Sequence, residues 1–360
     1  MTSNMTGNKG EWSEVYVFLK LLADGKLYAA DAALNKIPKI YYQIIKILRD
    51  NWEYLRNGEI KVVDQLGNVH LKIPISDFVS YAELLLSKIR ESKGAFAVPE
   101  VEQFLQQIKI TKIKSSPRVK PDIILVVHDL ITGLEPTLRF SIKSRLGEAS
   151  TLLNASGSTN FIYKVVGTTL NEAEINNINN INDRNDKIRK RIEAIIDKGG
   201  QLEFVDTENE IFKLNMQVID SNLPLIISRI VLNYYKGKAT DLKDLLQIVE
   251  QENPCGFKLN YNHSFYSYKV KKFLTDIALG MKPSDVWNGY YDANGGYIIV
   301  REDGDIVCYH IYNKNEFEDY LLNNTKLDTP SSTRHGFGTL YKDTNNNLLI
   351  KLNLQTRFKY

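Results

Sequence analysis

The chain has 360 residues, 43% hydrophobic and 25% charged, enough to bury a substantial core as one large or two smaller domains. Its 46 basic and 43 acidic residues leave a formal net charge of +3, which excludes a histone-like polycation but allows positive charge to be concentrated in one cleft. No apolar run reaches bilayer length, the N-terminus carries no hydrophobic signal region, and Cys255, Cys308 and the scattered histidines match neither a disulfide framework nor a zinc site, so a cytoplasmic protein with no membrane partner is expected.

In chain order, Val15, Phe18, Leu19 and Leu22 recur at helical spacing after Lys9-Gly10-Glu11-Trp12-Ser13-Glu14 and predict a first helix with one buried stripe. Glu14 lies beside that stripe and Glu11 nearer its centre; either acid can face a site, or both can favour the helix N-terminus through its dipole. Ile37–Tyr54 reads as helical. Glu59–Asp64 and Val69–Ile73 read as a hairpin around Gln65–Asn68. Ser76 is placed to cap a helix ending near Ser92, and Pro99 to open another ending at Gln107. Residues 28–108 are therefore expected to form a mostly helical insertion beside the core.

Ile123 to Val127 is a β-branched run of strand length, preceded by Lys120-Pro121-Asp122. Asp129–Pro136 carries turn residues, and Leu138–Lys143 returns as a second strand with Ser141 and Lys143 on one face. Antiparallel pairing brings Asp122 close to the end of the strand that bears Lys143. A carboxylate and a lysine so placed can hold a divalent metal against a phosphate, which points to a metal-dependent nuclease; a surface hairpin with both groups in solvent is the bland alternative.

Further on, Asn171 with Glu174 fits a capping pair, and helices are expected as far as Lys198, with the asparagine-rich tract 176–185 read as a polar helix. Gln201–Asp206 and Ile211–Val218 read as strands, and Leu223–Tyr235, Asp241–Glu250 and Phe265–Leu279 as helices. Hairpins are expected for Tyr297–Val300 with Ile306–Ile311, and for Gly338–Tyr341 with Leu348–Leu354. No internal repeat or clear linker is visible.

Pro121-Asp122 and Ser141-Ile142-Lys143, with Glu14 on the first helix, resemble the signature of the PD-(D/E)XK nuclease superfamily. The segments Ile142–Gly147, Ser150–Ser156 and Thr159–Phe161, together with Ser332–His335 and the ending Lys351–Phe358, resemble HpaII-type restriction endonucleases. The likeness spans nearly the whole chain. It implies an α/β (α+β) fold with a restriction-endonuclease-like core, a mixed central β-sheet flanked by helices and DNA-gripping insertions. The expected divisions are a first helix at 1–27, the insertion at 28–108, a catalytic core at 109–220 and a C-terminal α/β region at 221–360. It further implies hydrolysis of double-stranded DNA at the palindrome 5′-CCGG-3′ with Mg2+. Asp122 and Glu14 would be the metal ligands, Lys143 the cation at the phosphate and Ser141 a hydrogen-bonding neighbour. Ser141 stands where the family pattern has an acid, and the stretch Asn154–Thr159 supplies no compensating one. Arginine suits guanine O6 and N7, so Arg145 and Arg334 are candidate base readers. Ser144, Asn154, Ser156, Asn160 and His335 complete the expected DNA-binding set. A twofold target suits a homodimer or successive nicking by a monomer, with a cognate DNA methyltransferase as a functional, not physical, partner. A structure-directed nuclease of the resolvase kind and an inactive DNA-binding protein with a nuclease fold remain the alternative readings.

Overall fold

The structure, a computed structural model, describes residues 5–114, 121–130, 132–183 and 186–359. The chain begins with α1 (Lys9–Asp24), β1 (Lys26–Ala30), β2 (Lys36–Arg49), β3 (Trp52–Asn57), β4 (Glu59–Val63), β5 (Val69–Ile73), α2 (Ile75–Glu91), α3 (Pro99–Gln107), β6 (Ile123–His128) and β7 (Thr137–Ser144). There follow β8 (Thr151–Leu153), β9 (Asn160–Val166), α4 (Glu172–Asn179), α5 (Lys187–Asp197), β10 (Gln201–Thr207), α6 (Glu210–Ile219), α7 (Leu223–Tyr235), α8 (Leu242–Glu252) and α9 (Phe265–Leu279). The last part holds β11 (Gly296–Val300), β12 (Ile306–Tyr309), α10 (Lys314–Asn323), β13 (Thr325–Leu327), α11 (Ser332–His335), β14 (Leu340–Lys342), β15 (Leu348–Asn353) and β16 (Thr356–Phe358). The architecture is mixed α/β. It divides into residues 5–150 with 291–320 and residues 151–290 with 321–359.

The first unit is built on a nine-stranded sheet, β1-β12-β11-β7-β6-β2-β3-β4-β5. Strands β2, β6 and β7 are antiparallel, while β7 and β11 are parallel. Strand β1 pairs with both β12 and the N-terminal half of β2, which closes six strands into a ring. Asn8 and Glu11 form a capping box at the start of α1, and Gly25, at φ 70°, ends it in the left-handed conformation that glycine adopts without strain. The stripe of α1 packs into one core with Leu125, Phe140, Ile142 and Val300. Each large apolar side chain fully buried there contributes roughly 1.5–3 kcal/mol.

The second unit holds the four-stranded sheet β10-β9-β15-β14 and the three-stranded sheet β13-β16-β8. Phe161, Tyr163, Phe212, Ile226, Ile230 and Phe273 are among its fully buried side chains.

Three local expectations are corrected. Ile37–Tyr54 is not a helix but most of the antiparallel pair β2–β3, turning at Asp50 with φ 54°. Its apolar residues also fit helical spacing, but they are isoleucines and tyrosines, which favour a pleated surface. Residues 28–108 accordingly hold five strands and two helices, and β2 lies inside the main sheet. Ile211–Val218 is not a strand but most of α6, because the Asn209 side chain accepts the Phe212 N–H and caps it, and Phe212, Asn215 and Met216 share its buried face. The asparagine tract is helical only to Asn179; Arg184 and Asn185 at its end lie outside the described residues, as do Lys120 before the motif and Ile131 in the turn before β7.

Candidate active site

Ile123 pairs with Phe140, and the Asp122 N–H donates to the Phe140 carbonyl at 3.0 Å, so Asp122 opens β6 across from Ser141. Its Oδ2 accepts the Ile142 N–H at 2.6 Å. The carboxylate is thereby fixed to the backbone of β7, one residue before Lys143. On the other edge of β7, Tyr297 pairs with Ser141 and Ile299 with Lys143, and the Lys143 Nζ lies 5.6 Å from the centre of the Tyr297 ring. Phe140, Ile142 and Ser144 are buried, whereas Ser141 and Lys143 are half-buried, the alternation expected of a strand. The Ser13 hydroxyl donates to the Ser144 hydroxyl at 2.8 Å and clips α1 to β7, which brings in the neighbouring Glu14.

The charges of these residues act on one another. Burial pushes the Glu14 carboxyl up to about 8, the Asp122 carboxylate adds to this, and Arg49 and Lys114 oppose it. Burial also raises Asp122, against the Ile142 N–H and Lys143. Burial lowers Lys143, against the pull of Asp122 and Glu14. Two crowded carboxyl groups and one ammonium group thus share a poorly solvated site, an arrangement typical of functional sites.

Glu11 has a different task. Its Oε2 accepts the Asn8 N–H at 2.8 Å in the capping box, and its Oε1 pairs with Lys114 at 2.8 Å. Burial pushes its carboxyl up, but the Lys114 ammonium and the Asn8 N–H outweigh it and hold it below the usual value. Arg49 and Lys114 were not foreseen from the sequence. The Arg49 guanidinium is buried, donates to the carbonyls of Lys112 and Ile113, and contributes positive charge beside Glu14.

Among the described residues no cluster of three or more His, Cys, Asp or Glu side chains has the spacing of a metal cage. The carboxyl groups of Asp122 and Glu14, which act on one another electrostatically, are the two that would serve as donors. That suits a hard cation which keeps several waters and takes one or two protein carboxylates, and a dication would relieve the crowding of negative charge. Glu148 is exposed and Ser141 carries no charge, so neither adds a carboxylate here.

The other predicted residues are differently placed. Arg145 pairs with Glu302 at 3.0 Å, and the Ser144 hydroxyl is buried between the Ser13 hydroxyl and the Leu146 N–H. In the second unit Asn160 is fully buried. Its Nδ2 donates to Glu208 at 2.7 Å and to the His335 carbonyl at 2.8 Å, and its Oδ1 accepts from Asn353 at 2.6 Å. Asn160 therefore holds the Ser332–His335 turn in place through a backbone contact, with no polar atom left for a base. Ser156 begins a short 3-10 turn and its carbonyl accepts from Asn353, while Asn154 and Arg334 are exposed.

The family profile described as HpaII restriction endonuclease matches residues 8–358. The chain belongs to the HpaII restriction endonuclease family. It is 46% identical over 366 residues to the type II restriction enzyme HpaII of Haemophilus parainfluenzae, covering 99% of this chain and 100% of that one. No solved structure matches. The family match runs from the cap of α1 to β16, so it includes Glu14, Asp122 and Lys143 as well as Arg334. Membership makes this an enzyme of the type II restriction class, a site-specific deoxyribonuclease. Among the described residues no helix is long and apolar enough to cross a membrane.

Proposed function

We propose that this HpaII-family chain hydrolyses phosphodiester bonds of duplex DNA within 5′-CCGG-3′, with magnesium, from a PD-(D/E)XK-like core. One observation carries the reading: Asp122 is hydrogen-bonded to the backbone of Ile142, next to Lys143, and Asp122 acts electrostatically on Glu14 as both carboxylates do on Lys143. Magnesium, when bound by the carboxylates of Asp122 and Glu14, would supply Lewis-acid polarisation of the phosphate. Lys143 places a positive charge where negative charge builds up on the phosphate oxygens. The Ile142 N–H keeps one lobe of the Asp122 carboxylate fixed, so that its other oxygen is presented to the site. Ser141, opposite Asp122, orients water by its hydroxyl.

Plasmid DNA incubated with the protein and magnesium, followed by sequencing of the fragment ends, tests this reading. Ends confined to CCGG support it, whereas ends at branched structures or random positions, or no cleavage, defeat it. Arg334, exposed on α11, is proposed to read guanine. Arg334→Ala should weaken discrimination between CCGG and altered sites more than it weakens nonspecific binding; equal losses would assign it to phosphate instead. A cognate methyltransferase protecting the same sequence would be the functional partner, and a palindrome suits a homodimer.

Glu14 also predicts a stability effect. In the unfolded chain it loses its proton near 4.5 and in the folded protein near 8. Across that interval the unfolded state binds fewer protons, so Glu14 makes stability fall as pH rises from about 4.5 to about 8. Glu14→Gln should therefore be more stable than the wild type at pH 9 in EDTA, by up to about 5 kcal/mol, and equally stable below the lower end of that window. Urea unfolding at several pH values measures the difference, and parallel pH curves for the two proteins would disprove it.

A further inference from the structure

The second unit carries a cleft of about 760 Å³, lined by Lys187, Arg189, Tyr234, Thr240, Ser332 and Thr333 among others. It opens beside the α11 turn that bears Arg334. Its walls are rich in hydroxyl groups, and the Tyr234 hydroxyl lies 2.8 Å from that of Thr329. Its charged lining residues are Lys187, Arg189 and Asp186, with Arg189 paired to Glu193, and Lys238 lies in the chain between the lining residues Gly237 and Ala239. Lys187 and Lys238 have no ion-pair partner among the described residues. Lys236 is held below its usual value by burial first, and then by the neighbouring charges of Arg229 and Lys238 against Glu252. An ammonium group without an ion-pair partner in a hydroxyl-lined cleft, as at Lys187, suits an anionic ligand.

We infer that this cleft is a second DNA contact of the enzyme, a seat for backbone phosphates of duplex DNA next to the Arg334 turn. The ligand chemistry is phosphodiester, bound by ammonium groups and hydroxyls that position the duplex without reading its sequence. The inference rests on the proposed function, because it takes duplex DNA as the substrate.

The test is binding of a CCGG-containing duplex to the full chain by fluorescence anisotropy, in EDTA, across a series of salt concentrations. Wild-type cleavage of the same duplex with magnesium is established first; without it the proposed function fails, independently of the cleft. Each phosphate-neutralising cation contributes about 0.9 to the slope of log affinity against log salt. The doubly substituted Lys187→Gln, Lys238→Gln protein should therefore lose about 1.8 of slope while keeping the wild-type preference for CCGG over an altered duplex. Lys190→Gln is the control for overall charge, because that lysine is on the same helix but paired with Asp183. An unchanged slope in the double variant, an equal loss per charge in the control, or a collapsed CCGG preference with unchanged slope would each overturn the inference. Inorganic phosphate displacing the duplex equally from wild type and double variant would also count against it.

Discussion

Asp122→Asn should bind CCGG duplex and cut it at least about a thousandfold more slowly than the wild type, with unchanged folding. The substitution keeps the shape of the side chain, and the amide oxygen can still accept the Ile142 N–H that Oδ2 accepts at 2.6 Å. The local backbone geometry of β6 and β7 is thus retained. What disappears is the negative charge, and with it one of the two carboxylates proposed to hold the cation. Because burial already disfavours the ionised form of Asp122, a neutral amide should leave the thermal midpoint unchanged or higher. Single-turnover cleavage, duplex affinity and thermal unfolding together make the test. Cleavage within tenfold of the wild-type rate would remove Asp122 from the chemistry. A lost thermal transition would instead assign it a structural task.

The central hairpin could be read from the sequence because its determinants are local. The run from Ile123, the turn beginning at Asp129 and the return through Lys143 lie within a short stretch, and strand alternation then fixes which residues share a face. The pairing of Asp122 with the Ile142 N–H follows from that register. The choice between Glu14 and Glu11 needed one more local signal. Asn8-Lys9-Gly10-Glu11 has capping-box spacing, which occupies Glu11 in the cap.

Other features depended on distant partners. Arg49 belongs to a segment whose apolar spacing suits a helix. Only its pairing with β6, Leu48 opposite Ile124, reveals a strand that brings this guanidinium towards the motif. Asn160 looked like a loop asparagine because its three partners, Glu208, His335 and Asn353, lie far along the chain. A buried amide is satisfied by tertiary neighbours, and no short window shows them. The same holds for Arg145, which meets Glu302 only after β11 has paired beside β7. The cationic cleft of the second unit likewise collects residues from α5, from the end of α7 and from the turn before α11.

Lys143→Met should retain duplex binding and lose about two to three decades of cleavage rate, the effect of removing one preorganised charged donor. Methionine reproduces much of the length and volume of the lysine stem but cannot place a cation beside Asp122. The loss reaches further than one contact, because Lys143 also favours the ionised form of Asp122. Without it the Asp122 carboxyl keeps its proton to higher pH. The magnesium concentration that half-saturates cleavage should consequently rise in the variant, and the rise should shrink as pH increases. Lys143→Arg should not restore the rate, since the guanidinium is a planar fork that cannot occupy the place of a compact ammonium group beside the Tyr297 ring. Burial opposes the charge of Lys143, so its removal should leave the folded state intact. Rates measured at saturating magnesium separate the two consequences. A variant that cuts within tenfold of wild type there would leave Lys143 with a role in cation affinity alone, and one equal to wild type at every magnesium concentration would leave it with none.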